Sequence, residues 1–204
     1  SVVAKKVRPL VQLGSVLAIG GEIRGKAVSN DHVELFPLQD LAPGWFGWLI
    51  PSVTGQARIG VGTTDPRLNP RRLLEVMVDK YPHLRESSIL RIQGGVIPIS
   101  PPTQVAIPGI FLAGDAAGQV KPTSGGGILT GIVSAKLSAN AAVQILSGKV
   151  EVDEGSCWYQ SVWTQYLGNE FQRGYALRRL LLGLSPDEVD NFLNVFKVKL
   201  IQEL

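Results

Sequence analysis

Between residues 109 and 146 the chain sets chemistry-bearing residues in a fixed order. A short apolar run, Gly109-Ile110-Phe111-Leu112-Ala113, leads into Gly114-Asp115-Ala116-Ala117-Gly118. Pro122 follows, then Gly125-Gly126-Gly127-Ile128, then a proline-free Ala-, Leu- and Ile-rich segment that reaches Leu146. The order reads as strand, acidic glycine-rich turn, glycine-rich loop, helix. A unit of this kind presents unpaired backbone N–H groups and a helix N-terminus to a bound polar group. Asp115 sits where a carboxylate can accept hydrogen bonds from a sugar-like hydroxyl. Consecutive glycines let the backbone approach a ligand closely, because no Cβ intervenes.

Gly114-Asp115-Ala116-Ala117-Gly118 with Pro122-x-x-Gly125-Gly126-Gly127-Ile128 resembles the second FAD motif of the geranylgeranyl reductase family. That family lies within the FAD enzymes folded like p-hydroxybenzoate hydroxylase. Gly-Asp-Ala alone is shared by the whole group, aromatic monooxygenases and halogenases included; the Gly-Gly-Gly-Ile extension narrows the match to the reductases. The resemblance implies that Gly114, Asp115, Ala116, Pro122, Gly125, Gly126, Gly127 and Ile128 bind FAD. Asp115 is then expected to bond the ribityl chain, and the Pro122 to Gly127 loop to lie beside the isoalloxazine ring. The helix from Ile128 would turn its positive end toward the N1–C2=O edge of the flavin.

A second stretch fits the substrate side. The reductases carry Tyr-x-Trp-x-Phe-Pro on a substrate-domain strand, preceded by Pro-Gly. Here Pro43-Gly44 precedes Phe46-Gly47-Trp48-Leu49-Ile50-Pro51, so Trp48 and Pro51 match while Phe46 and Ile50 replace the Tyr and the Phe. Period-two geometry puts Phe46, Trp48 and Ile50 on one face. Such a wall suits a polyprenyl chain, which offers no hydrogen-bonding groups and must be held by apolar area. Gly60-x-Gly62 and Gly94-Gly95-x-Ile97-Pro98 also look like family features.

The resemblance implies an FAD-dependent reductase of geranylgeranyl-type double bonds, working by hydride transfer from reduced flavin. NAD(P)H or a ferredoxin-like protein would be the electron donor. No residue stands out as catalytic. The same residues leave other readings open: a flavin monooxygenase or halogenase, a quinone-linked electron-transfer flavoprotein dehydrogenase, or a catalytically silent isolated domain.

Composition bounds these readings. The chain has 204 residues, 45% of them hydrophobic, and a formal charge of only +3 with scattered basic residues, which gives no sign of nucleic-acid recognition. Arg173, Arg178 and Arg179 form the nearest thing to a basic cluster and read as a solvated helix face, with contact to anionic lipid or substrate phosphate as the minority reading. Cys157 is the one cysteine, expected to be a buried structural thiol. His32 and His83 have no partner at metal-ligand spacing, so no metal site is expected. Ile128 to Leu146 reads as a helix buried on a sheet rather than a membrane span. A cytoplasmic enzyme with peripheral membrane contact is expected, because its substrate is a prenyl lipid.

The fold class expected is α+β. Residues 1–107 form an antiparallel-sheet substrate domain with one helix. Residues 108–148 carry the FAD-motif strand, loop and long helix, and 149–204 form a helical region. No Gly-x-Gly-x-x-Gly occurs, so the ADP-binding Rossmann part of such an enzyme is expected in an N-terminal half outside this chain. Strands are expected at 16–23, with a bulge at Gly20-Gly21, and at 32–38, 45–51 and 56–62. Another spans 89–99, broken by Gly94-Gly95; short ones follow at 105–107 and 111–113. A turn is expected at Ser29-Asn30-Asp31. Helices are expected from Asn69-Pro70 to about Lys80, over 128–146, 156–167 and 170–182, and from Ser185 to the C-terminus.

Overall fold

The computed structural model describes residues 3–4, 14–25, 31–53, 55–185, 187–189, 191 and 194. The chain divides into two compact units, Leu13–Pro98 and Ile99–Leu204 with Ser1–Gln12.

The first unit is an antiparallel sheet of five strands: β1 (Ser15–Arg24), β2 (Glu34–Pro37), β3 (Phe46–Pro51), β4 (Gln56–Thr63) and β5 (Ser88–Pro98), in the order β2-β3-β4-β1-β5. Alternation along the strands buries Ile23, Phe36, Leu49, Ala57, Ile59 and Val61 in one core. Helix α1 (Pro70–Lys80) covers that side with Leu73, Leu74, Met77 and Val78. Its limits follow from local chemistry. The Arg71 N–H donates to Asn69 Oδ1 at 2.9 Å, and Pro70 fills the first turn, where its lacking N–H is no loss. Pro82 cannot continue the helix, which closes with the Tyr81 N–H on Met77 O.

Two details of the sheet differ from expectation. The bulge is not at Gly20-Gly21, where β1 runs straight; it falls between Glu22 and Ile23 against β5, leaving Leu90 as the extra residue. The glycine serves close approach instead: a Cβ on Gly21 would stand 2.5 Å from the carbonyl oxygen of Arg91. Strand β5 likewise passes through Gly94-Gly95 without a break, because β1 pairs with it on both sides of the pair. His83 follows α1 and turns toward the sheet. It is half-buried, its Nε2 lies 3.0 Å from Glu34 Oε2, and its ring stacks on Phe36.

The second unit opens with a hairpin, β6 (Ala106–Ile107) and β7 (Ile110–Phe111), around a turn at Pro108-Gly109. Helices α2 (Ile128–Leu146), α3 (Val152–Trp163) and α4 (Asn169–Leu182) follow, with a π-helical turn, Thr164–Gly168, joining the last two. Their core holds Val105, Leu112, Ala141, Tyr159, Trp163 and Phe171. Helix α2 has the expected limits but not the expected surroundings. It packs on α3 and on the turn at Gly114–Ala117. Only Thr130, Ser134 and Ala141 are buried, while Ile128, Leu129, Ile132, Val143 and Leu146 are each more than half exposed. Apolar residues lie around much of its circumference, so no single packed face can cover them. It is the one described helix long and apolar enough to span a membrane by length and composition, although no more than 17% of that window is buried.

Cys157 is exposed rather than buried, because it lies on the outer side of α3 while Ser156 and Tyr159 face inward. The turn at Ser29-Asn30 and most of the helix from Ser185 onward lie outside the described residues. At Ser185 a capping box is present: its N–H and hydroxyl donate to Glu188 Oε2, both at 2.8 Å, and hold that carboxyl below its ordinary range.

Leu74 is fully buried between α1 and the sheet. Leu74→Ala is expected to cost about 2–5 kcal/mol in urea unfolding. Arg72→Ala, on the outer side of the same helix, should change stability by less than about 0.5 kcal/mol.

Candidate functional site

The turn after β7 is built by two glycines. Ala113 is extended, Gly114 takes φ +63° in the left-handed region, and Gly114–Ala117 forms a short 3-10 turn. Gly118, at φ +74°, closes it by donating to Asp115 O at 3.0 Å. The Asp115 carboxylate is left exposed on the outside of the turn.

The glycine-rich loop closes on itself. The Lys121 N–H donates to Gly126 O at 3.0 Å and the Gly125 N–H to Lys121 O at 2.9 Å. This folds Gly127 back against the first turn: a Cβ on Gly127 would stand 3.1 Å from Asp115 Oδ1 and 3.4 Å from Val120 Cγ2. The expected cofactor residues Gly114, Asp115, Ala116, Pro122, Gly125, Gly126, Gly127 and Ile128 lie in one short segment, in which Pro122 is buried and the others are exposed or half-buried. Gly127 caps α2 without a side chain, and the first turn of α2 carries no acid. Its leading N–H groups and the positive end of its dipole are therefore available to a partial negative charge. Ile128 is 83% exposed at the same end.

A buried amide holds these pieces together. Gln119 is fully buried; its Oε1 accepts from the Gly114 N–H at 2.7 Å and its Nε2 donates to the Tyr159 hydroxyl at 3.3 Å. Tyr159, also fully buried, donates to Leu112 O at 2.7 Å. Burial pushes its hydroxyl pKa up, so it stays a donor. Thr130, on the first turn of α2, donates to Gln119 O at 2.6 Å. Turn and α3 are tied to the Gln119 side chain, and α2 to its backbone carbonyl.

Arg178 departs from the solvated face expected for its cluster. Arg173 and Arg179 are exposed, but Arg178 is buried and donates from a guanidinium nitrogen to Pro122 O at 3.4 Å. Desolvation pushes its pKa down. Beside the same loop, a cavity of about 290 Å³ is lined by Pro122, Leu129, Val133, Leu167 and Phe171, with Glu170 as its carboxylate.

The sequence pattern does not single out Gln119, Thr130, Tyr159 or Arg178. A signal exists for two of them. Tyr159 stands four residues before buried Trp163, and Arg178 stands seven after buried Phe171, so each shares a helical face with a core residue.

The aromatic wall lies in the first unit, on the sheet face turned away from α1. Phe46 and Trp48 are half-buried there and Ile50 is 41% exposed, while Pro51 ends β3 with its ring half-covered. Phe46 stacks on Trp45 at 5.0 Å and meets Trp48 edge-on at 6.2 Å.

No family model matches the chain. Among curated proteins it is similar to digeranylgeranylglycerophospholipid reductase of Methanosarcina mazei, 27% identical over 183 residues, covering 86% of this chain and 44% of that protein. The enzyme of the same name from Methanothrix thermoacetophila is 28% identical over 173 residues, with 83% and 44% covered. Among solved structures, a geranylgeranyl bacteriochlorophyll reductase-like protein from Thermoplasma acidophilum superposes with a TM-score of 0.82 at 21% identity, covering 91% of this chain and 48% of that one. PqsL, a probable FAD-dependent monooxygenase from Pseudomonas aeruginosa, gives 0.61 at 19% identity, with 89% and 53% covered. The resemblance to the geranylgeranyl reductase family is borne out by these relatives, and the α+β fold by the structural likeness. The chain spans less than half the length of the curated relatives it matches.

Gln119→Leu removes the acceptor for the Gly114 N–H and the partner of Tyr159 at a fully buried position. The expected loss is about 1–3 kcal/mol in chemical denaturation. Lys136→Ala, at an exposed position on α2, should change stability by less than about 0.5 kcal/mol.

Proposed function

We propose that this chain is part of an FAD-dependent oxidoreductase that reduces double bonds in a prenyl lipid. The observation that carries the reading is the meeting of Asp115 with the start of α2, where a Cβ on Gly127 would stand only 3.1 Å from the carboxylate. That combination suits a bound group with hydroxyls on one side and a partial negative charge on the other. FAD has both, and supplies the hydride when bound.

The residues of the chain would divide the remaining tasks. Asp115 accepts from the ribityl hydroxyls. The N–H groups opening α2 favour negative charge on the flavin ring system, and Gly125, Gly126 and Gly127 permit close backbone approach. Pro122 and Ile128 shape the loop and the helix entrance, with Arg178 holding the Pro122 carbonyl from behind. Phe46, Trp48 and Ile50 hold the prenyl chain by apolar area and exclude water from it, while Pro51, paired with buried Ala57 on the opposite face, ends the strand. An N-terminal half carrying the ADP-binding part would complete the FAD site and cover the exposed apolar side of α2. The share of the relatives that this chain leaves unmatched has room for such a half. NAD(P)H or a ferredoxin-like protein would supply electrons.

The test is product analysis on the whole protein, reduced with dithionite under nitrogen and mixed with a geranylgeranyl lipid. The expected product gains one H2 per reduced double bond without O2, and Trp48→Ala lowers kcat/KM by about tenfold or more, in line with about 1.4 kcal/mol of lost apolar contact. An O2-dependent hydroxylated product, or a halogenated one with halide present, would establish the monooxygenase or halogenase reading instead.

A further inference from the structure

The first two turns of α2 are built inside out. The residues buried there are Thr130 and Ser134, both carrying hydroxyls, whereas Ile128, Leu129 and Ile132 are more than half exposed. Half-buried Val133 lines the cavity beside Pro122 rather than the turn that presents Asp115. Burial of an apolar face, which ordinarily fixes a helix against its neighbours, is therefore not what fixes this end. Interlocking shape does not fix it either. Where α2 meets the turn, glycine faces glycine: a Cβ on Gly131 would stand 3.6 Å from Gly114 Cα, an ordinary contact. Neither residue has a side chain with which to key the two elements together.

The two hydroxyls do different work. Ser134 Oγ donates to Thr130 O at 2.7 Å, a bond that stays within the helix. Thr130 Oγ1 donates out of it, to Gln119 O at 2.6 Å, and lies 3.2 Å from Gly127 O. It thereby ties the first turn of α2 to the segment that carries Asp115. The tie sits at the end that matters for charge. The first backbone bond of the helix runs from the Gly131 N–H to Gly127 O, so the N–H groups of Ile128, Leu129 and Thr130 precede it and form the positive end of the dipole. Thr130 also gives a donor to a carbonyl beside those groups, which removes an acceptor from their neighbourhood.

We infer that Thr130 is a positioning residue for the cofactor: by fixing where the positive end of α2 stands relative to Asp115, its hydroxyl tunes the reduction potential of bound FAD. The inference rests on the FAD reading above and adds to it a residue whose side chain is buried against the protein. Reduction by two electrons and one proton leaves a negative charge on the flavin ring system, whereas the oxidised ring system is neutral. The helix end stabilises that charge only over its first turn, so its placement decides how much it contributes. A start of α2 released from Gln119 O would stabilise the reduced cofactor less and leave the oxidised one nearly as before. Thr130 thus acts on the difference between two states of the cofactor rather than on its affinity as a whole.

The experiment is a redox titration of FAD bound to the whole protein, against reference dyes, with far-UV circular dichroism to confirm each fold. Thr130→Val keeps the branched shape and loses the hydroxyl. Its potential is expected to fall by about 30 mV, a tenfold change in the two-electron equilibrium constant. Thr130→Ser keeps the hydroxyl and should stay within about twofold of the parent constant. Thr130→Cys, whose thiol donates weakly, should fall between the two, and it carries the test if Thr130→Val does not fold. Ser134→Ala removes a hydroxyl that is also buried, one turn further on, and should leave the potential unshifted because its bond lies within the helix. An unshifted potential in folded Thr130→Val, or in Thr130→Cys where it stands in, overturns the inference. So does an equal fall in Thr130→Ser or in Ser134→Ala, since the tie to Gln119 O is intact in both. A parent protein that takes up no FAD sinks the FAD reading itself, whatever the variants do.

Discussion

The candidate cofactor site depends on one buried amide. Gln119 accepts from the Gly114 N–H, meets the Tyr159 hydroxyl through its Nε2, and offers its own carbonyl to Thr130 on α2. In a site of low dielectric each of these groups would be costly to leave unpaired. Together they fix the turn that presents Asp115 and the first turn of α2 relative to each other, and of the residues expected to meet a ligand they engage only the Gly114 backbone. The glycines then act within a frame that is already rigid. Gly114 and Gly118 supply left-handed backbone for the turn, and Gly127 supplies the clearance beside Asp115. Arg178 extends the same principle to the loop, with a buried cation directed at the Pro122 carbonyl.

The sheet unit follows a different logic. Alternation puts aliphatic residues of β1, β3 and β4 and Phe36 of β2 under α1, and leaves the other face largely to Phe46, Trp48, glycines and charges. A face so arranged contributes little to the core; its glycines lower strand stability, which favours a role in contact over a role in packing.

Local chemistry made much of this legible from sequence. Asn69-Pro70 and Pro82 bracket α1 because capping and the loss of an N–H act within a single turn. Helix α2 begins at Ile128 directly after its glycines and ends at Leu146 before Ser147-Gly148. Ala57, Ile59 and Val61 point inward as period two requires. What was not legible depends on contacts distant in sequence. The bulge at Glu22 against β5 is set by the register of a strand some 65 residues on, and no glycine marks it. The exposure of α2 cannot be read from its own composition, since an apolar helix has the same sequence whether or not another element covers it. Arg178 lies within a basic cluster, and only its spacing from Phe171 separates it from its solvated neighbours. Cys157 shows the converse: a residue type that is usually buried sits on the outer side of α3.

The central claim is that the short segment from Gly114 to Ile128 holds a flavin through Asp115 and the bare start of α2. Equilibrium titration of FAD into the flavin-stripped whole protein tests it most directly, comparing the parent with Asp115→Ala and Gly127→Val, with far-UV circular dichroism to confirm the fold. The account predicts that both variants keep their secondary structure and bind FAD about tenfold or more weakly, consistent with the loss of a charge-assisted hydrogen bond. Unchanged FAD affinity in both folded variants would contradict it.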